Sequence, residues 1–208
     1  MPLRKLCWII LAVLALDQAV KMYIKLNYSL TLYGSDAIVD WGWFRLLFVE
    51  NKGMAWGARL NDILPFISDN TAKLLLSIFR LLAVTAIGYW LVRAVKTTTS
   101  KGQLIAVSLI LAGALGNIID SVFYGVLFSN SYAQIATFLP TEGGYAPLMF
   151  GHVVDMLQFP MVSWTWPEWL PILGGNSFTF FEPVFNIADS AISVGVILLL
   201  LKTRKTTS

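Results

Sequence analysis

The chain has 208 residues, 57% of them hydrophobic and only 13% charged, with eight Trp and a formal net charge of +3. That balance lies outside the range of soluble domains, excludes an ordinary water-soluble enzyme or binding module, and makes 1–208 a single integral membrane domain. One cysteine, Cys7, excludes an intramolecular disulfide and any multi-cysteine metal site, and it is expected to be a small buried apolar residue.

About 20 consecutive apolar residues cross a bilayer. Four stretches qualify, 6–24, 74–95, 104–123 and 184–201, and they leave two external loops, 27–70 and 124–183. The first stretch follows Arg4 and Lys5, as a secretory signal would, but it continues to Tyr23-Ile24 without a clear small-residue cleavage site, so it is expected to remain as a span. In the first loop the run from Val39 to Val49 is aromatic and β-branched with partial alternation, and Asn51-Lys52-Gly53 follows as a turn. This predicts a small sheet resting on the membrane surface.

On the third span Gly113, Gly116, Asn117, Asp120 and Tyr124 recur at helical spacing as one small, polar stripe. The glycines alone are explained by close helix packing; Asn117 and Asp120 need polar partners as well. The stretch from Val122 to Phe150 has no Lys or Arg and is expected to be a loop that covers a site or engages a partner without supplying chemistry. Trp164, Trp166 and Trp169 then stand among prolines, as an interfacial belt, an amphipathic cover or a substrate-binding surface would place them. On the last span Asn186, Asp189, Ser190 and Ser193 share a face, which should meet the stripe on the third. Residues 202–208 read as a disordered cytoplasmic tail.

Eight basic residues, Arg4, Lys5, Arg93, Lys96, Lys101, Lys202, Arg204 and Lys205, occupy the N-terminus, the turn between the second and third spans, and the C-terminus. No acid lies in those places, so the positive-inside rule makes both termini cytoplasmic and both long loops external. Asp17, Asp120 and Asp189 then converge near the outer leaflet.

An ionisable group inside an apolar span is expensive and marks a candidate functional site. Asp189 stands one turn inside the last span, and Asp155 precedes it in the external loop. Asp17 and Lys21 form an i,i+4 pair that is structurally sufficient by itself. Arg80 either snorkels outward or neutralises one of the acids. The only histidine is His152 and no Gly-x-Ser-x-Gly elbow occurs, which argues against a serine or cysteine protease. One His and one distant Cys leave too few ligands for zinc, so neither metal nor other cofactor is expected. Two carboxyls that share a proton suffice: the ionised one activates a water and the protonated one donates to the carbonyl oxygen.

Five blocks of the sequence are similar, in order, to lipoprotein signal peptidase, or signal peptidase II, a bacterial family of intramembrane aspartyl proteases. They are Leu16-Asp17-Gln18 with Lys21, the run from Glu50 to Gly57, Gly116-Asn117-Ile118-Ile119-Asp120, Gly151-His152-Val153-Val154-Asp155, and Phe185-Asn186-Ile187-Ala188-Asp189-Ser190. The resemblance implies an all-α membrane protein of four transmembrane helices, with a small extracytoplasmic β-sheet cradle and a second external loop or cap. It implies an endopeptidase of the bacterial inner membrane that removes signal peptides from diacylglyceryl-modified prolipoproteins just before the lipidated cysteine. Asp155 and Asp189 would be its catalytic pair; Asn51, Gly53, Asn117 and Asn186 would line the site; Asp17, Lys21 and Asp120 would support it. Its partners would be prolipoproteins and membrane lipids, not nucleic acid, and it would act as a monomer.

The chain departs from the family pattern in two places. Ser121 stands where the family usually has Arg, so that either Arg80 supplies the guanidinium or substrate is held without it. The stretch from Val122 to Phe150, longer than the family's connection between the Asp120 and Asp155 blocks, reads as a loop insertion that leaves the helices intact. Asp120 therefore remains an alternative partner for Asp189. A small proton-coupled transporter would also place acids within a bundle, but it needs a route from both faces, and all twelve acids here fall on the outer half.

Overall fold

The computed structural model describes residues 1–31, 36–51, 68–97, 100–180 and 183–203. Helix α1 (Leu3–Asn27) starts behind Pro2, and the Asn27 side chain folds back on the Tyr23 carbonyl at its end. Helix α2 (Asp69–Val95) is capped by Ser68, whose hydroxyl accepts from the Thr71 amide. Helix α3 (Lys101–Ile119) opens with a capping box between Ser100 and Gln103. The connection from Val95 to Lys101 is short, so α2 and α3 are antiparallel neighbours. Helix α4 (Ile187–Thr203) completes the bundle.

Of these, α1, α2 and α3 with its continuation to Leu127 are long and apolar enough to cross a membrane. At 1.5 Å per residue the 17 described residues of α4 reach about 25 Å, just short of an average hydrocarbon core. It starts later than position 184 because Val184–Phe185 forms strand β6 instead, paired with Gln158 and Leu157. Residues Lys202 and Thr203 belong to α4 rather than to a tail, and 204–208 lie outside the described residues.

The small-residue stripe does what its spacing predicts. A Cβ added at Gly113 would stand 2.2 Å from the Ala188 carbonyl oxygen, and one at Gly195 2.6 Å from that of Ala106. Backbones of α3 and α4 thus touch directly, which only glycine permits. Leu6, Leu91, Leu104, Val107 and Leu111 pack the basic end of the bundle. Cys7 is not buried there as expected but exposed, because α1 is covered on one side only and its other side is the protein's outer surface.

At the other end four strands form one antiparallel sheet, in the order β1 (Val39–Asp40), β2 (Arg45–Asn51), β3 (Val153–Gln158), β6. The run of aromatic and β-branched residues therefore forms the predicted sheet. Lys52 and Gly53 fall outside the described residues. Val154 and Met156 of β3 join Ile24, Phe48, Tyr124 and Phe128 in a second core under the sheet, while Val153 and Asp155 point the opposite way, following strand alternation. A second hairpin, β4 (Val162–Thr165) with β5 (Ser177–Phe180), was not foreseen. Trp164 packs on Trp166 and Phe178 within it, and Trp169 and Ile172 are exposed.

The stretch from Val122 to Phe150 is only partly a loop. The helix runs on through a π-helical turn, Asp120–Tyr124, and a last turn, Gly125–Leu127. The remainder is stitched back to that helix end: the amides of Tyr145, Ala146, Met149 and Gly151 donate to the carbonyls of Phe128, Gly125, Val122 and Ser121. Helix-end carbonyls lack intrahelical partners, and this segment satisfies them.

Candidate active site

Asp155 and Asp189 come together from two kinds of element. Asp155 lies on β3 opposite Val49 of β2, and Asp189 lies in the first turn of α4. Asn186 caps α4 by a reciprocal exchange: its Oδ1 accepts from the Asp189 amide at 2.9 Å, and its own amide donates to Asp189 Oδ2 at 3.2 Å. The Asn186 side-chain amide then donates to Asp155 Oδ1 at 2.7 Å and to Asn117 Oδ1 at 3.0 Å. One buried asparagine therefore holds both carboxyls. Asn117 Nδ2 donates to Asp189 Oδ1 at 2.8 Å, and Asn51 Nδ2 reaches Asp155 Oδ2 at 3.2 Å from the end of β2.

Each of these donors is neutral. Burial pushes the Asp155 carboxyl up and the charge of Asp189 adds to that, while the amides of Asn51 and Asn186 oppose it; the balance lies at about 7. Below that pH Asp155 carries a proton. Two carboxyls, one of them protonated near neutrality, are equipped for general acid–base work on a water and a carbonyl.

Behind this pair one buried cation lies between two carboxyls. Lys21 Nζ lies 2.8 Å from Asp17 Oδ2, 2.7 Å from Asp120 Oδ2 and 3.0 Å from Asn117 Oδ1, with all three ionic side chains buried. Asp17 also reaches across to α4, where its Oδ1 accepts from the Ala188 amide at 2.9 Å. Asp120 accepts from Gln18 Nε2 at 2.9 Å and from the Val154 amide at 3.3 Å, and the Tyr124 hydroxyl donates to Gln18 Oε1. Asp120 is thereby tied to α1 and to β3, and it is Asp155, not Asp120, that shares Asn186 with Asp189.

Arg80 turns inward rather than snorkelling. Its Nη1 lies 3.4 Å from the Ser121 hydroxyl, and its charge is within electrostatic range of Asp189 and Asp155. A guanidinium thus stands beside the position where the family pattern has its Arg. Of the residues expected at the site, Gly53 lies outside the described residues; Asp17, Lys21, Asn51, Asn117, Asp120, Asn186, Asp155 and Asp189 form one connected network. Sequence reasoning missed a neighbouring buried group around Lys25 and Glu50. The available signal was that Lys25 follows Lys21 by one helical turn and Glu50 adjoins Asn51.

The sequence profile of the signal peptidase (SPase) II family matches residues 9–205. The chain belongs to that family. The lipoprotein signal peptidase of Porphyromonas gingivalis (strain W83) is 44% identical over 201 residues, which cover 96% of this chain and 83% of that one. That of Amoebophilus asiaticus (strain 5a2) is 35% identical over 197 residues, 94% of this chain and 76% of its own. In fold the chain is similar to a bacterial membrane enzyme solved by the in meso method at 1.9 Å resolution, with a TM-score of 0.58 at 23% identity over 96% of this chain and 92% of the other. Family membership makes the chain a peptidase of lipoprotein processing with several membrane-spanning helices, and it gives the transporter reading no support.

Proposed function

We propose that this peptidase removes the signal peptide from diacylglyceryl-modified prolipoproteins, cutting before the lipidated cysteine with Asp155 and Asp189 as an aspartyl dyad. The observation that carries the reading is the single residue Asn186, whose side chain donates to the Asp155 carboxyl and whose backbone amide donates to that of Asp189. Asp189 takes a proton from a water lying between the two carboxyls. The water oxygen attacks the scissile carbonyl carbon as Asp155 donates its proton to the carbonyl oxygen. When the tetrahedral intermediate collapses, the C–N bond breaks and the leaving nitrogen takes a proton from the dyad. Asn51, Asn117 and Asn186 hold the carboxyls in place without discharging them. Lys21 fixes Asp17 and Asp120.

α4 is the fourth span in this reading, extended at its outer end by β6, and both termini are cytoplasmic because the basic residues cluster at that face. The dyad then lies at the outer-leaflet level of the bacterial inner membrane. A lipid-anchored substrate reaches that level by lateral diffusion, with the sheet as its cradle, and the peptidase works as a monomer among membrane lipids.

The test is cleavage of a synthetic prolipopeptide by the purified protein in lipid mesophase, read by mass spectrometry. A product that begins with the diacylglyceryl-cysteine, and no cleavage of the unlipidated peptide, is the expected result. Cleavage elsewhere, or equal cleavage of the unlipidated peptide, contradicts the substrate assignment.

A further inference from the structure

A second buried polar cluster adjoins the acids, and none of its members belongs to the network above. Lys25, on the last turn of α1, forms an ion pair with Glu50 of β2 and donates to Ser131 Oγ at 2.7 Å. The Ser131 hydroxyl donates to Glu50 Oε1 at 2.8 Å, and His152 Nδ1 lies 2.9 Å from Glu50 Oε2. Three rings surround the ammonium, those of Phe48, Phe128 and Tyr145, at 5.7, 5.4 and 5.0 Å. The Tyr145 hydroxyl in turn accepts from the His152 amide at 2.6 Å. Burial pushes the Glu50 carboxyl up, but its bonds from His152, Lys25 and Ser131 and the Lys25 charge outweigh that and bring it to about 2. Glu50 is therefore an anion at every working pH.

The position of this anion matters more than its strength. Glu50 pairs with Val154, and Asn51 pairs with Val153, so the cluster grips the last rungs of the β2–β3 ladder. Successive side chains on a strand point to opposite faces. Glu50 thus faces the Lys25 cluster while Asn51 faces the site and donates to Asp155. A shift of β2 by a fraction of an ångström moves the Asn51 amide relative to Asp155. Ser131 and Tyr145 both come from the stretch between Val122 and Phe150.

We infer that Glu50 is a positioning residue for cleavage, clamped by Lys25, His152 and the 128–150 segment so that Asn51 stays on Asp155. The inference rests on Asp155 as a member of the catalytic pair. It assigns the added segment a role that a removable cover does not have.

The test is steady-state cleavage of the prolipopeptide by Glu50→Gln and Ser131→Ala, each with and without Asn51→Ala, alongside Asp155→Asn. Glu50→Gln keeps the shape and removes the charge, and it should lower kcat about tenfold with KM within about twofold. On an Asn51→Ala background it should cost nothing further, because Glu50 acts through Asn51. A purely structural role predicts a lower melting temperature with unchanged kcat per folded molecule, and that result overturns the inference, as does a loss of kcat that is undiminished on the Asn51→Ala background. If Glu50→Gln does not fold, Ser131→Ala keeps the ion pair and must show the same coupling to Asn51. Cleavage retained by Asp155→Asn overturns the dyad and this inference together; an inactive Asp155→Asn with additive Glu50 and Asn51 effects overturns this inference alone.

Discussion

Two pairs of acids lie side by side in this protein, all buried except the half-buried Asp189, and they are held differently. Asp17 and Asp120 share a lysine, whose ammonium lies within 2.8 Å of both. Asp155 and Asp189 are held by asparagine amides. An ammonium brings a counter-charge to the carboxylates it touches, whereas an amide fixes position without supplying charge. The contrast separates acids that build the bundle from acids equipped to react, although all four are aspartates at one level of the fold.

The comparison breaks if the two groups respond alike to loss of charge. Asp155→Asn and Asp189→Asn should each lower cleavage by about 10³-fold or more with insertion and melting temperature preserved, since each removes a proton carrier and keeps its shape. The double variant should be little worse than either single. Asp120→Asn should retain far more activity, and an Asp120→Asn variant less active than Asp155→Asn would reassign the pair.

The lysine-held group should respond in stability instead. Lys21→Met leaves Asp17 and Asp120 buried without a counter-charge, so thermal unfolding should show a loss of about 3–5 kcal/mol. Unchanged stability would mean that the lysine is dispensable to the bundle. The close approach of α3 and α4, which brings Asn117 to Asp189, is tested by Gly113→Ala. The new Cβ meets the Ala188 carbonyl oxygen at 2.2 Å, and the helices must part at a cost of about 1–3 kcal/mol. Arg80→Gln should have a smaller effect, about tenfold in kcat, because Arg80 acts on the pair through its charge. Adding Ser121→Arg to that variant should restore part of the activity by returning a guanidinium to the same place.

Much of this arrangement was legible in the sequence because membrane burial makes polar residues costly and therefore informative. Asn117, Asp120, Asn186 and Asp189 stand out against apolar runs, and the glycine spacing on α3 shows which face another helix approaches. The sheet was legible for the same kind of reason, from β-branched and aromatic alternation between Val39 and Val49. Other features depend on contacts that no local pattern encodes. Lys25 looks like a residue at the membrane surface until Glu50 and Ser131, distant in sequence, surround it. The continuation of α3 to Leu127 follows from carbonyls that the 143–151 segment satisfies. Cys7 was expected inside because it is apolar, but on a membrane helix an apolar residue is equally at home on the outer surface. The family resemblance also implies a reactive Asp155, yet only the folded chain brings it to Asn186.

The central claim is that Asp155 and Asp189 work with one proton between them, and the pH dependence of kcat/KM for the prolipopeptide tests it most directly. With Asp155 as the proposed donor, its proton held up to about pH 7, activity should be present just below that value and fall about tenfold per pH unit above it. A profile that stays flat or rises between about pH 6 and pH 9 would contradict the account, because catalysis would then proceed after the pair had lost its proton.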